Sequence, residues 1–464
     1  MSFQTFGLSD ALLSALQDAG YSQPTPTQAK VLPIALEGQD LVVEAKTGSG
    51  KTLAFALALL HKWQTSDPCA PSTLVLCPTR ELAEQVAEQI RIVAKHIANF
   101  KVLTLFGGVA IGPQLHSMNH LPDVIVGTPG RVIDVITKKS TSLKHIGCFV
   151  LDEADRMLDM GFAEQMQWII KRLKQDKAVF QTLLFSATFG ANIASIAKQV
   201  SPGAEHISLL QEQVAPSITQ IGWQLQDGKK DYAVAALLTE YQPNSAMVFC
   251  NTKADVKAIA GYLQDQGFDV AELHGDMIQE ARSSALRRFA SQCANVLVAS
   301  DVAARGLDIP DVELVINADV SLDIDTHTHR IGRTGRADKS GQAMTLFTAE
   351  QKNHLLKIAE ETNAKIPTKH TQALRFHANR IIPATYRGIE LGAGKKQKIS
   401  KGDILGALSK QAEIDGQDIG KIFVTAQSSF VAIKLRSVKR AMKFFKEEKV
   451  KGKKLRARLA TRVS

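Results

Sequence analysis

The chain has 464 residues, 45% of them hydrophobic, and a formal net charge of +10. That length suits about three domains of roughly 150 residues each, while the lack of any apolar run near the roughly 18 residues of a membrane span argues against a membrane protein. No basic-then-apolar leader opens the chain, and its five cysteines lack metal-ligand spacing, so a reduced, cytoplasmic protein is expected.

The positive charge is concentrated at one end. Residues 395–464 hold 19 Lys+Arg against 6 Asp+Glu, a net +13, whereas residues 1–394 hold 37 against 40, a net −3. A basic terminal module predicts a polyanionic partner, nucleic acid first.

The opening stretch carries Phe3, Phe6 and a helical pattern from Leu8 to Ala19, capped by Ser9 and stopped by Gly20. Tyr21 and Pro24-Thr25-Pro26-Thr27-Gln28 follow. Gln28 fits a solvent residue at the start of the next helix, and its amide also suits the donor–acceptor edge of a base. Asp40 to Thr52 then reads as strand, glycine-rich loop and helix. It follows the phosphate-loop spacing G-x-x-x-x-G-K-[ST], with Ala45 at the first glycine position. In Thr47-Gly48-Ser49-Gly50 the backbone N–H groups can turn onto phosphate oxygens. Lys51 would reach the β and γ phosphates, and the Thr52 hydroxyl would ligate magnesium. ATP and Mg2+ are the cofactors this predicts.

Strand-like runs with polar tips come next. They are Thr73–Cys77 before Pro78-Thr79-Arg80-Glu81, Lys101–Phe106 before Gly107-Gly108, and Asp123–Val126 before Gly127-Thr128-Pro129-Gly130-Arg131. Cys148–Leu151 precedes Asp152-Glu153-Ala154-Asp155, and Thr182–Phe185 precedes Ser186-Ala187-Thr188. Unbroken apolar runs separated by helical stretches predict a doubly wound parallel sheet. Ligands sit at the carboxyl ends of such strands. Asp152 and Glu153 there can divide two tasks, one holding magnesium and the other a water; alone, they also fit acids in a first helical turn.

An internal repeat links Leu74-Val-Leu-Cys77-Pro-Thr-Arg-Glu to Met247-Val-Phe-Cys250-Asn-Thr-Lys-Ala. Residues 216–365 therefore read as a second sheet domain related to the first, at 1–210, with a linker near Gln211–Ser217. It lacks a G-K-[ST] loop. Its polar strand tips include Ser300–Asp308 and His329–Arg336. Arg333 and Arg336 are spaced so that both can face one way and neutralise charge on a transferring phosphate. Residues 366–383 read as a second linker. From 384 to 464 the pattern is βαββαβ, with strands near Tyr386–Leu391, Lys421–Thr425, Phe430–Leu435 and Lys454–Ala460, and helices near Gly402–Lys410 and Val438–Glu448. That is the split βαβ order of an RNA-recognition sheet, with a poor aromatic signature: Phe430 on the third strand and Tyr386 on the first.

Taken together, these motifs resemble the DEAD-box family of ATP-dependent RNA helicases. Some ten of them occur in order over residues 3–350. The resemblance implies two tandem RecA-like domains, an RNA-dependent ATPase that unwinds short RNA duplexes, and roles for the matching residues. Phe3, Tyr21 and Gln28, at the ends of a segment spanning 3–28, would read adenine. Lys51 would hold the phosphates, Thr52 and Asp152 the magnesium, Glu153 the attacking water and Asp308 the ribose. Arg333 and Arg336 would be arginine fingers. Asp155, Ser186, Thr188 and His329 would couple nucleotide to RNA. Pro78, Thr79, Arg80, Gly107, Gly108, Thr128, Pro129, Arg131, Thr252 and Arg282 would touch RNA. Lys46 and Ser300 depart from the family's usual Gln and Thr. The last module resembles the RRM-like one of DbpA-type bacterial helicases, with Lys398, Lys401, Lys451 and Lys453 as RNA contacts. That implies a hairpin of large-subunit (23S) ribosomal RNA as partner, a role in large-subunit assembly, and a monomer.

Overall fold

The computed structural model describes residues 2–45, 48–65, 72–139, 141–176, 179–209, 218–226, 229–304, 311–335 and 340–460. The chain divides into two compact units, with the boundary between residues 215 and 216.

The first unit is built on seven strands: β1 (Leu41–Glu44), β2 (Thr73–Leu76), β3 (Val102–Leu105), β4 (Val124–Gly127), β5 (Cys148–Leu151), β6 (Gln181–Ser186) and β7 (Glu205–Ser208). They pair in the order β3-β4-β2-β5-β6-β1-β7, parallel throughout. Both faces are covered by helices, so β2, β4, β5 and β6 are buried along their whole length. Side chains alternate between two cores. Val43, Val75, Val150 and Phe185 face one, with the helix Lys51–Thr65. Val42, Leu74, Leu151 and Leu184 face the other.

The second unit repeats the plan with β8 (Ile218–Gln224), β9 (Ala246–Cys250), β10 (Val270–Leu273), β11 (Val296–Ser300), β12 (Leu314–Asn317), β13 (Gly341–Phe347) and β14 (Thr368–His370). Its order is β10-β11-β9-β12-β13-β8-β14, again parallel. The permutation is the one seen in the first sheet, strand for strand. The repeat around Cys77 and Cys250 is thus a repeat of topology, with both cysteines buried at the ends of corresponding strands.

One expectation fails here. Residues 366–383 are no free linker: β14 adds a parallel edge strand to β8, and Leu374 is buried in the second core with Phe376 and Ile381 packed beside it. Two apolar side chains and a β-branched one in a short irregular stretch gave no periodicity to read, yet they cover one face of the sheet.

The C-terminal module is a smaller antiparallel sheet of β15 (Tyr386–Leu391), β16 (Ile419–Val424), β17 (Ser429–Lys434) and, after a two-residue hairpin pair β18 (Lys449–Val450) and β19 (Lys453–Lys454), β20 (Ala457–Leu459). The order is β16-β17-β15-β20. Helices Lys401–Gly406, widened into a further turn at Ala407–Gln411, and Val438–Glu447 cover one face. Ile389, Val431, Ile433, Leu408 and Phe445 form the core between them. The expected strand over 454–460 is split because its first residue joins the hairpin and only its middle reaches the sheet.

Candidate nucleotide and RNA sites

The loop after β1 is closed by its own neighbours. Gly48 and Gly50 have φ of 82° and 89°, the left-handed region that favours glycine. A Cβ on Gly50 would lie 2.4 Å from Gln28 Nε2, so no larger residue fits. Lys51 donates from Nζ to Ala45 O at 2.8 Å, and Thr52 is the second residue of the helix that follows.

Gln28 sits in a capping box at the start of the helix Pro26–Leu36. Its Oε1 accepts from Thr25 N at 2.9 Å, its Nε2 donates to Gly50 O at 3.1 Å, and Thr25 Oγ1 donates to Ser49 O at 2.8 Å. With 3% exposure, the Gln28 amide clamps the phosphate loop rather than standing open to solvent. Tyr21 Oη donates to Gln89 Oε1 at 3.3 Å. Phe3 is a correction: it is buried in the first core, so its ring is no open stacking platform. Leu8, just before the first helix, and Leu12 and Leu16 on it share that core and draw it in.

Beside the loop, at the tips of β5 and β6, three acids take three different environments. Asp152 is 3% exposed, and burial, with the charge of Glu153 adding to it, pushes its carboxyl up to about 7 against the opposing pull of Lys51. Glu153 adopts φ 51°, ψ 54° and forms an ion pair with Arg156 Nη1 at 3.0 Å. Asp155 accepts through Oδ2 from Ala187 N at 3.0 Å, Thr188 N at 3.0 Å and Thr188 Oγ1 at 3.2 Å, while Ser186 Oγ donates to Thr188 O at 2.6 Å. The expected link from Asp155 to the Ser186–Thr188 tip is therefore present.

The residues expected to touch RNA gather at the other half of the same sheet edge, on the adjacent strands β3, β4 and β2. Thr79 caps the helix Arg80–Val93, and Arg80 lies over the Phe106 ring at 4.5 Å. Pro78 stands between the end of β2 and that cap. Gly107 and Gly108 leave open space above the tip of β3, Gly108 with φ 75°. Thr128 N donates to Leu105 O at 2.9 Å, Pro129 opens the helix Pro129–Lys139, and Arg131 Nη2 reaches Val109 O at 3.0 Å, joining the β4 and β3 tips.

The second unit mirrors this. Thr252 caps the helix after β9 and accepts from Asp255 N at 3.1 Å. Arg282 Nη2 lies 3.5 Å from Ala303 O beyond β11. Ser300 closes β11, pairing with Cys250. His329 is in the last turn of Ile324–Ile331, and Arg333 follows it, buried, with its N donating to Arg330 O at 3.2 Å. Arg330 itself was missed as a structural residue. At 1% exposure it donates to both Asp301 oxygens at 2.6 Å, to Asn251 Oδ1 at 2.6 Å and to Asp319 O at 2.8 Å. It ties three strand tips together, a role that sequence could suggest only through its place in an otherwise glycine- and arginine-rich segment. Lys46, Thr47, Asp308, Arg336 and the linker at 211–217 lie outside the described residues.

In the last module, Lys451 and Lys453 reach back to the segment that holds Lys398, and Lys401 opens the helix Lys401–Gly406 that follows it. Lys451 Nζ reaches Lys398 O and Asp403 Oδ2, both at 3.2 Å, and Lys453 Nζ reaches Gln397 O at 2.6 Å, so the 395–401 and 449–454 segments form one basic surface. The sheet face away from the helices is covered. Phe430, 4% exposed, and Ala432 pack on Cys293 of the second parallel sheet domain, with Tyr386, Phe423 and Ala460 around them. Arg387 Nη1 pairs with Asp269 Oδ1 at 2.7 Å, Ala384 N donates to Asp269 Oδ2 at 3.0 Å, and Tyr386 N to Gln292 O at 3.1 Å. Phe430 and Tyr386 thus serve packing, which accounts for the poor stacking signature.

Comparison with known proteins agrees with this geometry. Residues 25–196 match the DEAD/DEAH box helicase family, 229–338 the helicase conserved C-terminal domain, and 389–459 the DbpA RNA binding domain. The chain is 42% identical to the ATP-dependent RNA helicase DbpA of Escherichia coli (strain K12) over 97% of its own length and 98% of that protein's. It is 35% identical to the Bacillus subtilis (strain 168) DbpA over 99% of each. Among solved structures, S. cerevisiae Dbp5 bound to RNA and ADP BeF3 superposes with TM-score 0.69 at 30% identity, over 80% of this chain and 96% of that one. Mss116 bound to ssRNA and UDP-BeF gives 0.72 at 25% identity over 79% of each. The chain belongs to the DEAD-box ATP-dependent RNA helicases, among those that carry a DbpA RNA-binding domain.

Proposed function

We propose that this helicase is delivered by its basic module to a hairpin of large-subunit (23S) ribosomal RNA, and there opens short duplexes during assembly of the large subunit. It would act as a monomer in the cytoplasm. The observation that carries the reading is the lysine cluster on the C-terminal module, which lies in the segment that holds the chain's whole excess of positive charge. With its open sheet face covered, the module would recognise RNA by basic and polar side chains more than by stacking.

In the first unit the residues fit nucleotide hydrolysis. Lys51, now bonded to Ala45 O, would turn to neutralise the β and γ phosphates. Among the described residues no cluster of three His, Cys, Asp or Glu side chains could hold a metal by itself. Magnesium suits such a place because it takes one or two protein oxygens and completes its shell with phosphates and water. Asp152 and Thr52 would hold it, and the ion would neutralise charge on the phosphates. Glu153 would orient the attacking water. Asp155 would report the state of the site to Ser186–Thr188. In the second unit, Arg333 and Arg336 would supply positive charge to the γ phosphate when RNA favours closure, with His329 in the coupling path and Asp308 near the ribose. Tyr21 and Gln28 would sense the adenine end, Gln28 through its grip on the loop.

The test is RNA-stimulated ATP hydrolysis with a 23S hairpin fragment and with generic RNA of equal length. A preference for the fragment that disappears when Lys398, Lys401, Lys451 and Lys453 are changed to Gln supports the reading. Equal stimulation by both RNAs refutes the targeting while leaving the helicase assignment intact.

A further inference from the structure

Glu153 is held in an unusual way. Its backbone lies in the left-handed region, φ 51° and ψ 54°, without being glycine. Such strain survives where the surroundings over-determine the conformation, and it concentrates at functional sites. What holds the side chain is Arg156, three residues on, whose Nη1 donates to Glu153 Oε2 at 3.0 Å. This is not a solvated helix-surface pair: the two side chains are 9% and 14% exposed. Asp152 stands next in the chain, and the charge of Glu153 is among the causes that raise its carboxyl. Two neighbouring carboxylates in a largely buried site repel one another, and an unrestrained Glu153 would turn away from Asp152. A guanidinium stays charged at any relevant pH and forms a strong charge-assisted hydrogen bond to a carboxylate oxygen.

We propose that Arg156 is a positioning residue for ATP hydrolysis: by gripping Oε2 it keeps the Glu153 carboxylate aimed, leaving Oε1 for the attacking water. The proposal rests on the reading of Glu153 as the water-orienting group. Arg156 touches neither nucleotide nor water in this scheme; it acts through Glu153. The neighbouring acid does not share the guanidinium contact: Asp155 Oδ2 accepts from Ala187 and Thr188, and its Oδ1 accepts from the backbone N of Arg156 at 2.9 Å. The side chains of the motif are thus placed differently: Asp152 is buried, where it would hold the cation, Glu153 is paired with the Arg156 guanidinium, and Asp155 is bonded to the β6 tip.

The experiment uses the full chain with saturating RNA and compares Arg156→Gln, Arg156→Lys, Glu153→Ala and the Glu153→Ala/Arg156→Gln double variant. Steady-state and single-turnover ATP hydrolysis are measured, with fluorescent-nucleotide binding and thermal unfolding as folding controls. The expected result is a fall in kcat of about tenfold or more for Arg156→Gln, as a misaligned catalytic group produces, with KM for ATP within about twofold. Arg156→Lys should recover much of the rate, and if the Gln variant does not fold, the Lys variant alone should show an intermediate kcat at unchanged KM. In the Glu153→Ala background, Arg156→Gln should add almost nothing, because residues acting as one unit are not additive. A full tenfold further loss in that background overturns the proposal, and so does an Arg156→Gln enzyme with normal kcat or with raised RNA-independent hydrolysis. If Glu153→Ala itself turns over normally, the water-orienting role of Glu153 falls, a result separate from the other two.

Discussion

The two helicase sheets share one strand order and differ in what their strand tips hold. In the first, β1 leads into the phosphate loop, and β5 and β6 end in Asp152, Glu153 and Ser186–Thr188. In the second, the corresponding strands β8, β12 and β13 carry no such loop. The tip of β12 is knitted instead: Asn251 N donates to Asp319 Oδ2 at 3.0 Å, Lys230 pairs with Asp319, and Arg330 binds Asp301, Asn251 and the Asp319 carbonyl. On the other half of each sheet the likeness persists. Thr79 and Thr252 cap equivalent helices; the residues matched to RNA-contacting motifs follow β3, β4 and β2 in one sheet, and in the other they are Thr252 after β9 and Arg282 on the helix between β10 and β11. Duplication of one fold has kept a shared half and divided the remaining half between nucleotide chemistry and a rigid support for arginines.

That division can be broken by substitution. Arg333→Ala should produce the largest effect, a fall of about 10³-fold or more in RNA-stimulated kcat with ATP binding retained; a normal kcat would return Arg333 to the supporting network around Arg330. Glu153→Gln should slow hydrolysis by about 10²- to 10⁴-fold without weakening ATP binding, and fluorescent-nucleotide titration beside single-turnover hydrolysis checks both halves of that statement. Changing Lys398, Lys401, Lys451 and Lys453 to Gln should flatten the salt dependence of hairpin binding by about 0.9 in log–log slope for each lysine that contacts duplex phosphate. These changes are preferable to deleting residues 384–464. Deletion would uncover Cys293 and strip the buried Asp269 of Arg387, so a loss of activity there would confound tethering with folding.

The smallest expected effect is on acid stability, and it belongs to the second sheet. His327 is buried with its ring 2.9 Å from Gln220 Oε1, and desolvation, with Arg330 nearby, lowers its pKa from 6.5 to about 4. The unfolded chain takes up this proton near pH 6.5 and the folded chain only near pH 4. Stability from this group is therefore complete above pH 6.5 and falls as pH drops toward 4, by on the order of 3 kcal/mol. Urea unfolding of the wild type and His327→Asn between pH 7 and 4.5 should show the slope reduced in the variant; equal slopes would place the acid-labile group elsewhere.

Much of this architecture was legible from the residues. Apolar runs without alternation revealed most buried parallel strands, and the spacing around Lys51 identified the phosphate loop. The Cys77/Cys250 repeat revealed the duplicated fold, and the basic excess after residue 395 marked an RNA-directed module. These signals are local, arising from periodicity, glycine backbone freedom and charge density. Edge strands β7 and β14 were not legible, because short strands exposed at a sheet edge carry little apolar pattern.

Tertiary structure decided which member of each motif faces which partner. Local sequence cannot show that Gln28 grips Gly50, that Phe3 belongs to the core, that Arg330 is a buried strut, or that Phe430 lies on Cys293. Each depends on a residue distant in the chain or on the exact direction of a side chain. Three adjacent acids read alike as letters, and only packing gave Asp152 its burial, Glu153 its arginine and Asp155 the backbone amides of a neighbouring strand tip.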